Sequence, residues 1–279
     1  MTCCKMIKRV IRIGLAGVAL CAMTMLFLRP SPTIVRWVDW LPQIQFVPAL
    51  ASGMVAVVAA VIGITLLFGR VYCSVVCPLG IAQDLFRWFS SVVLLRKKTL
   101  PRPLVLSRKL LWTIRILALL FFLVGIFFGL TLWLEPYGIF GRIIVVAREL
   151  MYSICPSPHI IGRALRRLHV VHVLDGGVPI RVTIFVAMTG AIVFGSTFIR
   201  ARWWCNTICP VGTLLGVLSR FAFFRVRIQS EKCVGCGLCA KACACGAILP
   251  GKPVQVDNSR CVDCLSCADA CRKGALKWH

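Results

Sequence analysis

The chain has 279 residues, a mean hydropathy of +0.88 and 59% hydrophobic residues; 33 Lys and Arg stand against 9 Asp and Glu, a net charge of +24. That apolar content excludes a single ordinary soluble domain, and the positive excess on such a chain points to an anionic membrane surface. Nucleic acid is set aside, because no basic recognition motif accompanies the charge.

A helix needs roughly 20 apolar residues to cross the hydrocarbon of a bilayer. In chain order, residues 13–28, 48–68, 116–134 and 182–199 form four long stretches without charge. The sequence therefore predicts four transmembrane helices. The first lies between Arg12 and Arg29. It is not read as a cleaved signal peptide, because no small-x-small site follows its apolar core. The Cys3-Cys4 pair before it has no assigned role. Basic residues set orientation. Residues 1–12, 69–115 and 200–279 carry 25 of the 33 Lys and Arg and all ten Lys, which places this side, with both termini, in the cytoplasm.

The second stretch runs into "FGRVYCSVVCPLGIAQDLFRWF". Past the third stretch comes Glu135-Pro136, an acid at a span end that is read either as a proton acceptor for quinol or as an interface anchor. "GRIIVVARELM" follows and reads as an amphipathic helix lying at the membrane interface. Cys155 stands alone and reads as structural, and His169 and His172, three apart, read as a wetted helix face. After the fourth stretch comes "RARWWCNTICPVGTLLGVLSRF". Adding 132 maps Arg70 to Arg202, Cys73 to Cys205, Cys77 to Cys209, Pro78 to Pro210 and Gly80 to Gly212. A parallel duplication about an axis along the membrane normal predicts that the two C-x-x-x-C-P loops, 70–80 and 202–212, lie side by side. Their four cysteines then form a four-thiolate site for a soft metal or iron–sulfur centre, a redox thiol pair, or buried apolar residues.

A membrane-surface linker is expected over residues 219–230, and a ferredoxin domain over 231–279. The tail carries two combs of C-x2-C-x2-C-x3-C spacing: Cys233, Cys236, Cys239, Cys243 and Cys261, Cys264, Cys267, Cys271. In two-cluster ferredoxins the fourth cysteine of each comb ligates the other cluster. One [4Fe-4S] cluster is therefore expected on Cys233, Cys236, Cys239 and Cys271, and the other on Cys261, Cys264, Cys267 and Cys243. Ala244 and Arg272 stand where proline would follow the fourth cysteine, and Cys245 is surplus, read as a non-ligand. Lys232, Lys241, Arg272 and Lys273 favour the more negative reduced state. There is no C-x-x-C-H, no Walker loop and no histidine inside an apolar stretch.

These readings describe an all-α membrane four-helix bundle, residues 1–218, with an α+β tail carrying two [4Fe-4S] clusters. The combination of "YCSVVCPLG" and "WCNTICPVG" after spans two and four, "LTLWLEPYGIFGR" after span three, and a terminal two-cluster ferredoxin resembles the NapH-type membrane ferredoxins, with NosR and CcoG as relatives. The resemblance implies an electron-transfer subunit of the bacterial inner membrane. It would take electrons from the quinol pool and pass them to a partner ferredoxin or reductase subunit, including a periplasmic one. The same family also implies a rival: a factor that reduces copper or a cofactor during metalloenzyme assembly or reactivation. A plain membrane anchor is the third reading.

Overall fold

The computed structural model describes residues 2–28, 36–90, 92, 107–127, 135–154, 180–249, 251 and 254–278. Helix α1 spans Thr2–Leu28 and contains the apolar window Val10–Leu28. The second predicted span is divided. Helix α2, Phe46–Ala51, ends in a turn where Gly53 takes φ +71°, and α3, Val55–Phe68, begins beyond it. At 14 residues α3 is about 21 Å long, short of the roughly 30 Å hydrocarbon thickness. Among the described residues three helices are long and apolar enough to span: Val10–Leu28, Lys109–Ile126 and Ile180–Phe198, with Val55–Phe68 a shorter apolar helix.

Two short helices follow α3: α4, Tyr72–Val75, and α5, Pro78–Phe89. Helix α6, Arg108–Phe127, starts eight residues before the apolar stretch and draws Arg115 inside a window expected to lie beyond it. Helix α7, Pro136–Ile154, contains the stretch with the amphipathic pattern. It packs on α1, on α5 and on α8, Ile180–Arg200. Its buried Phe140 and half-buried Tyr137 meet Phe27 of α1 at ring separations of 6.2 and 5.1 Å. The ring of Phe27 occupies the space that a Cβ on Gly141 would need. Helices α9, Trp203–Thr207, and α10, Pro210–Leu218, complete the second repeat.

The repeats interlock: α5 of the first packs on α8 of the second, and α10 of the second packs on α3 of the first. The equivalence extends upstream of the cysteines. Thr65 and Thr197 are both fully buried, and each donates to the carbonyl four residues back, Val61 and Val193. Gly69 and Ala201 both turn the chain with positive φ, +75° and +60°. Outward, Leu117, Phe121, Ile184 and Met188 are each more than half exposed, a surface suited to lipid.

The tail forms two small antiparallel sheets. β1, Val226–Ile228, pairs with β4, Leu276–Trp278, and β2, Ile248–Leu249, pairs with β3, Gln255–Val256. Strand β1 begins inside the stretch expected to be linker, so the chain enters the tail's sheet within a few residues of α10. Short helices α11, Leu238–Ala242, and α12, Ser266–Ala270, follow the third residue of each comb's turn and pack against each other.

Candidate redox centres

Each C-x-x-x-C-P loop is one short helix followed by a second that starts at proline. Cys77 and Cys209 hold extended backbone, as residues before proline do, and each is the N-cap of the next helix. Pro78 and Pro210 then sit where a missing N–H costs nothing. This puts the second sulfur of each pair at a helix N-terminus, where the Gly212 N–H donates to Cys209 Sγ at 3.3 Å. Cys73, Cys77, Cys205 and Cys209 are only 4–6% exposed, and each lies within electrostatic range of the other three. The expectation that the two loops sit side by side is met.

Burial pushes the Cys205 thiol up to about 12 and Cys77 and Cys209 further; neighbouring thiols add to the rise, while Arg202 or Arg70 works against it. As free thiols Cys77, Cys205 and Cys209 stay protonated. A soft metal or iron–sulfur group would supply the positive charge that lets them ligate as thiolates. Two further observations fit such a group. Cys205 Sγ donates to Gln83 Oε1 at 3.0 Å, and Gln83 Nε2 is buried with no hydrogen-bond partner. Trp204 Nε1 is buried and orphaned as well. The Gln83 donor, orphaned beside sulfur, suits an electron-rich acceptor.

Two buried arginines lock the loops together by exchange. Arg70 of the first repeat donates from Nη2 to the Cys205 carbonyl at 3.3 Å, and Arg202 of the second donates from Nη1 to the Cys73 carbonyl at 3.0 Å. Gly80 and Gly212 make this possible, since a Cβ on either would overlap the carbonyl of Cys73 or Cys205. The repeats then diverge. Arg202 closes a two-pronged ion pair on Asp84, 2.7 and 2.6 Å. The position equivalent to Asp84 is Gly216, so Arg70 Nη1 instead reaches Asn206 Oδ1 and the Ser259 carbonyl in the tail, both at 2.9 Å. Sequence reasoning noted the Arg70–Arg202 equivalence but not this role, and it missed Gln83, Asp84 and Arg115. The available signal was a charged pair repeated at the same place beside both cysteine loops.

In the tail, Cys233, Cys236, Cys239 and Cys271 line one cavity of about 250 Å³. Cys243, Cys261, Cys264 and Cys267 line a second, tighter one, together with Cys245. Cys271 of the second comb thus lies with the first three cysteines of the first, and Cys243 of the first lies with the first three of the second. Equivalent turns build it: Gly235 and Gly237 in the first comb, Asp263 and Leu265 in the second, all with positive φ. Among the described residues no three cysteines, histidines or acids close on a single ion point. The cysteines surround space, which is the geometry that a cubane held by four thiolates requires.

The second comb is bolted to the buried thiol site. Asn206, next to Cys205, donates from Nδ2 to the Cys245 carbonyl at 2.8 Å. Arg115 donates to the Asn206 carbonyl at 3.0 Å and to Ser259 Oγ and O at 3.1 and 3.2 Å. Ser219 Oγ donates to the Asn258 carbonyl at 2.9 Å, and the Asp263 carboxylate fills the space over Gly69. Arg115 can sit fully buried in an apolar helix because every direction of its fork finds an oxygen. Cys245, the surplus cysteine, is buried in this joint near Arg202, Asp84, Cys243 and Cys264. Its position is consistent with a packing role.

Glu135 is 1% exposed, caps α7 through its carbonyl, and has Oε2 without a hydrogen-bond partner. Burial raises its carboxyl to about 7, against the pull of Arg142. Cys155, His159, His169, His172 and His279 lie outside the described residues, as do the side chains of Cys3 and Cys4.

A family model described as a 4Fe-4S binding domain matches residues 50–103 and 182–230, the two repeats, and another of that description matches residues 254–277. The chain is a ferredoxin-type 4Fe-4S protein. This ferredoxin-type protein is 28% identical over 196 residues to YccM of Escherichia coli, described as an electron transport protein, covering 70% of this chain and 47% of YccM. It is 29% identical over 190 residues to the methylamine utilization ferredoxin-type protein MauN of Methylobacillus flagellatus, covering 66% and 51%. It is 28% identical over 206 residues to the ferredoxin-type protein NapH of Escherichia coli, covering 70% and 57%. The chain spans about half the length of the curated relatives it matches. No solved structure matches it.

Proposed function

We propose that this protein is a membrane-embedded relay that takes electrons from the quinol pool and delivers them to a partner redox protein, a ferredoxin or a reductase subunit. In this reading Cys233, Cys236, Cys239 and Cys271 hold one [4Fe-4S] cluster, and Cys261, Cys264, Cys267 and Cys243 hold the other. Cys73, Cys77, Cys205 and Cys209 hold a third centre inside the membrane half. When bound, such clusters accept and release single electrons at potentials set by hydrogen bonding and exposure.

The observation that carries the reading is the hydrogen-bonded joint running from Cys205 and Asn206 through Arg70 and Arg115 to Ser259 and Cys245. It holds the second comb against the buried thiols and keeps water out from between them. The first comb, with Cys236 exposed, is left facing outward for the partner. The order is then membrane thiols, second comb, first comb. Glu135 takes a proton released by quinol. Its carboxylate form gains population above pH of about 7.

The membrane half is a four-helix arrangement in which α3 is the short member, set in the inner membrane with both termini in the cytoplasm. The basic-residue distribution supports that orientation. The test is electron paramagnetic resonance of the reduced protein with iron and acid-labile sulfide counts, followed by quinol addition to membranes. About eight irons or more per chain are expected, with signals that quinol elicits. Zinc in place of iron, or clusters that quinol never reduces, sinks the proposal.

A further inference from the structure

On the flank of the joint lies a polar cavity of about 400 Å³ that neither cysteine set lines. Arg220, Arg225 and Arg260 surround it with Asp257, Asn258 and Gln255. The arginines come from two segments: two from the stretch after α10, one from the tail. Among the described lining residues Asp257 is the one acid, and its oxygens are already engaged. Oδ2 pairs with Arg260 Nε at 3.1 Å, and Oδ1 accepts from Ser259 N and Oγ at 3.0 and 2.6 Å. Behind the wall, buried Arg115 lies within electrostatic range of Arg70, Arg220 and Arg260. The region therefore holds a surplus of guanidinium charge with one carboxylate to answer it.

The position of the cavity identifies its medium. Phe223 and Phe224 donate their N–H groups to the carbonyls of Leu66 and Leu67, the last turn of apolar helix α3, each at 2.8 Å. Phe221 and Phe223 are 74% and 72% exposed, although they are large and apolar. Trp112, near the start of the apolar window of α6, lies beneath the guanidinium groups of Arg220 and Arg115 at 4.5 and 5.4 Å. Aromatic side chains at the end of apolar helices, under a ring of arginines, are the arrangement of a membrane–water boundary.

We propose that this cavity is a binding site for the phosphodiester headgroup of an anionic phospholipid. Arg220, Arg225 and Arg260 surround the phosphate, and Phe221 and Phe223 insert among the acyl chains. Guanidinium forks suit phosphate oxygens better than a point charge does, because two N–H groups meet two oxygens in one plane. Bound there, the lipid ties the linker to the Ser259–Cys261 segment and so steadies the seat of the second comb. The assignment depends on charge and position at the boundary and not on which metal the cysteines hold.

The test uses the full chain in phosphatidylcholine nanodiscs with graded phosphatidylglycerol, followed by native mass spectrometry of lipids that stay bound on release. Wild-type protein is expected to retain one phosphatidylglycerol in preference to phosphatidylcholine. An Arg220→Gln/Arg225→Gln variant, with circular dichroism matching wild type, is expected to lose that retention by about tenfold or more. Equal retention of both lipids by the wild type overturns the proposal without any variant. So does undiminished retention by a folded variant. A parallel arm adds inorganic phosphate alone. If the free ion stays bound and no lipid does, the site is an anion site of another kind and the lipid assignment falls.

Discussion

The two cysteine combs share spacing and backbone, yet they occupy opposite surroundings. Positions 235 and 237 of the first are repeated by 263 and 265 of the second, with positive φ at all four. The first comb uses glycine at both and opens outward, with Cys236 and Lys232 exposed and Val234 66% exposed. The second uses Asp263 and Leu265, non-glycine residues in a conformation that costs them roughly 1 kcal/mol each. Asp263 sits over Gly69, and Ser259 is held by two buried arginines. Spacing defines which sulfurs can meet, and surroundings define which comb faces the membrane half. At Asp263 the left-handed strain is tolerated where the side chain itself forms part of the joint.

The largest test of this contrast lies upstream of both combs. Changing Cys73 and Cys205 to alanine is expected to abolish quinol-driven reduction of either comb while the chain still inserts; normal turnover would remove the buried thiols from the path. Next, single ligands are removed and the surviving comb is followed by electron paramagnetic resonance. Cys264→Ser is expected to leave the first comb unreduced by quinol. Cys236→Ser leaves the second reducible and blocks only delivery to the partner. The reverse pattern would invert the order.

A third test addresses the exchange of arginines that seats the second comb. Arg202→Ala leaves Asp84 without its two-pronged partner and the Cys73 carbonyl without its donor, at a cost of about 3 kcal/mol in thermal or denaturant unfolding. Burial acts to raise the Asp84 carboxyl, but Arg202 overcomes it and holds the group below the usual carboxylate range. The sign follows: this stability is present above the ordinary carboxylate pKa and is lost as pH falls through the lowered one. Asp84→Asn should flatten that acid limb. Smaller still, Gly212→Ala forces a methyl against the Cys205 carbonyl and is expected to cost about 1–3 kcal/mol. Gly235→Ala, with open space but φ +70°, should cost only about 1 kcal/mol. Last, Glu135→Gln is expected to remove a rise in quinol oxidation rate through pH of about 7, with little effect on unfolding. An unchanged pH profile would leave Glu135 as an interface anchor.

Much of the site was legible because cysteine spacing is local chemistry. Gaps of two residues confine three sulfurs to one turn, and the repeat at 132 residues announced that the two C-x-x-x-C-P loops would meet. The helices were less legible. Hydropathy sees Pro48 to Phe68 as one stretch, but the turn at Ser52 and Gly53 divides it. Arg115 read as a loop charge, because its partners Asn206 and Ser259 lie 91 and 144 residues away.

The amino-acid order alone determined the apolar segments, the doubled loop and the two cysteine combs, because each rests on periodicity or on spacing over a few residues. Only the tertiary structure decided that buried arginines exchange partners between repeats, and that one comb is sealed to the membrane half while its twin is open. Those outcomes depend on which carbonyls and carboxylates arrive beside a buried guanidinium. That is a long-range property: a charge out of water is stable only where the whole fold surrounds it with acceptors.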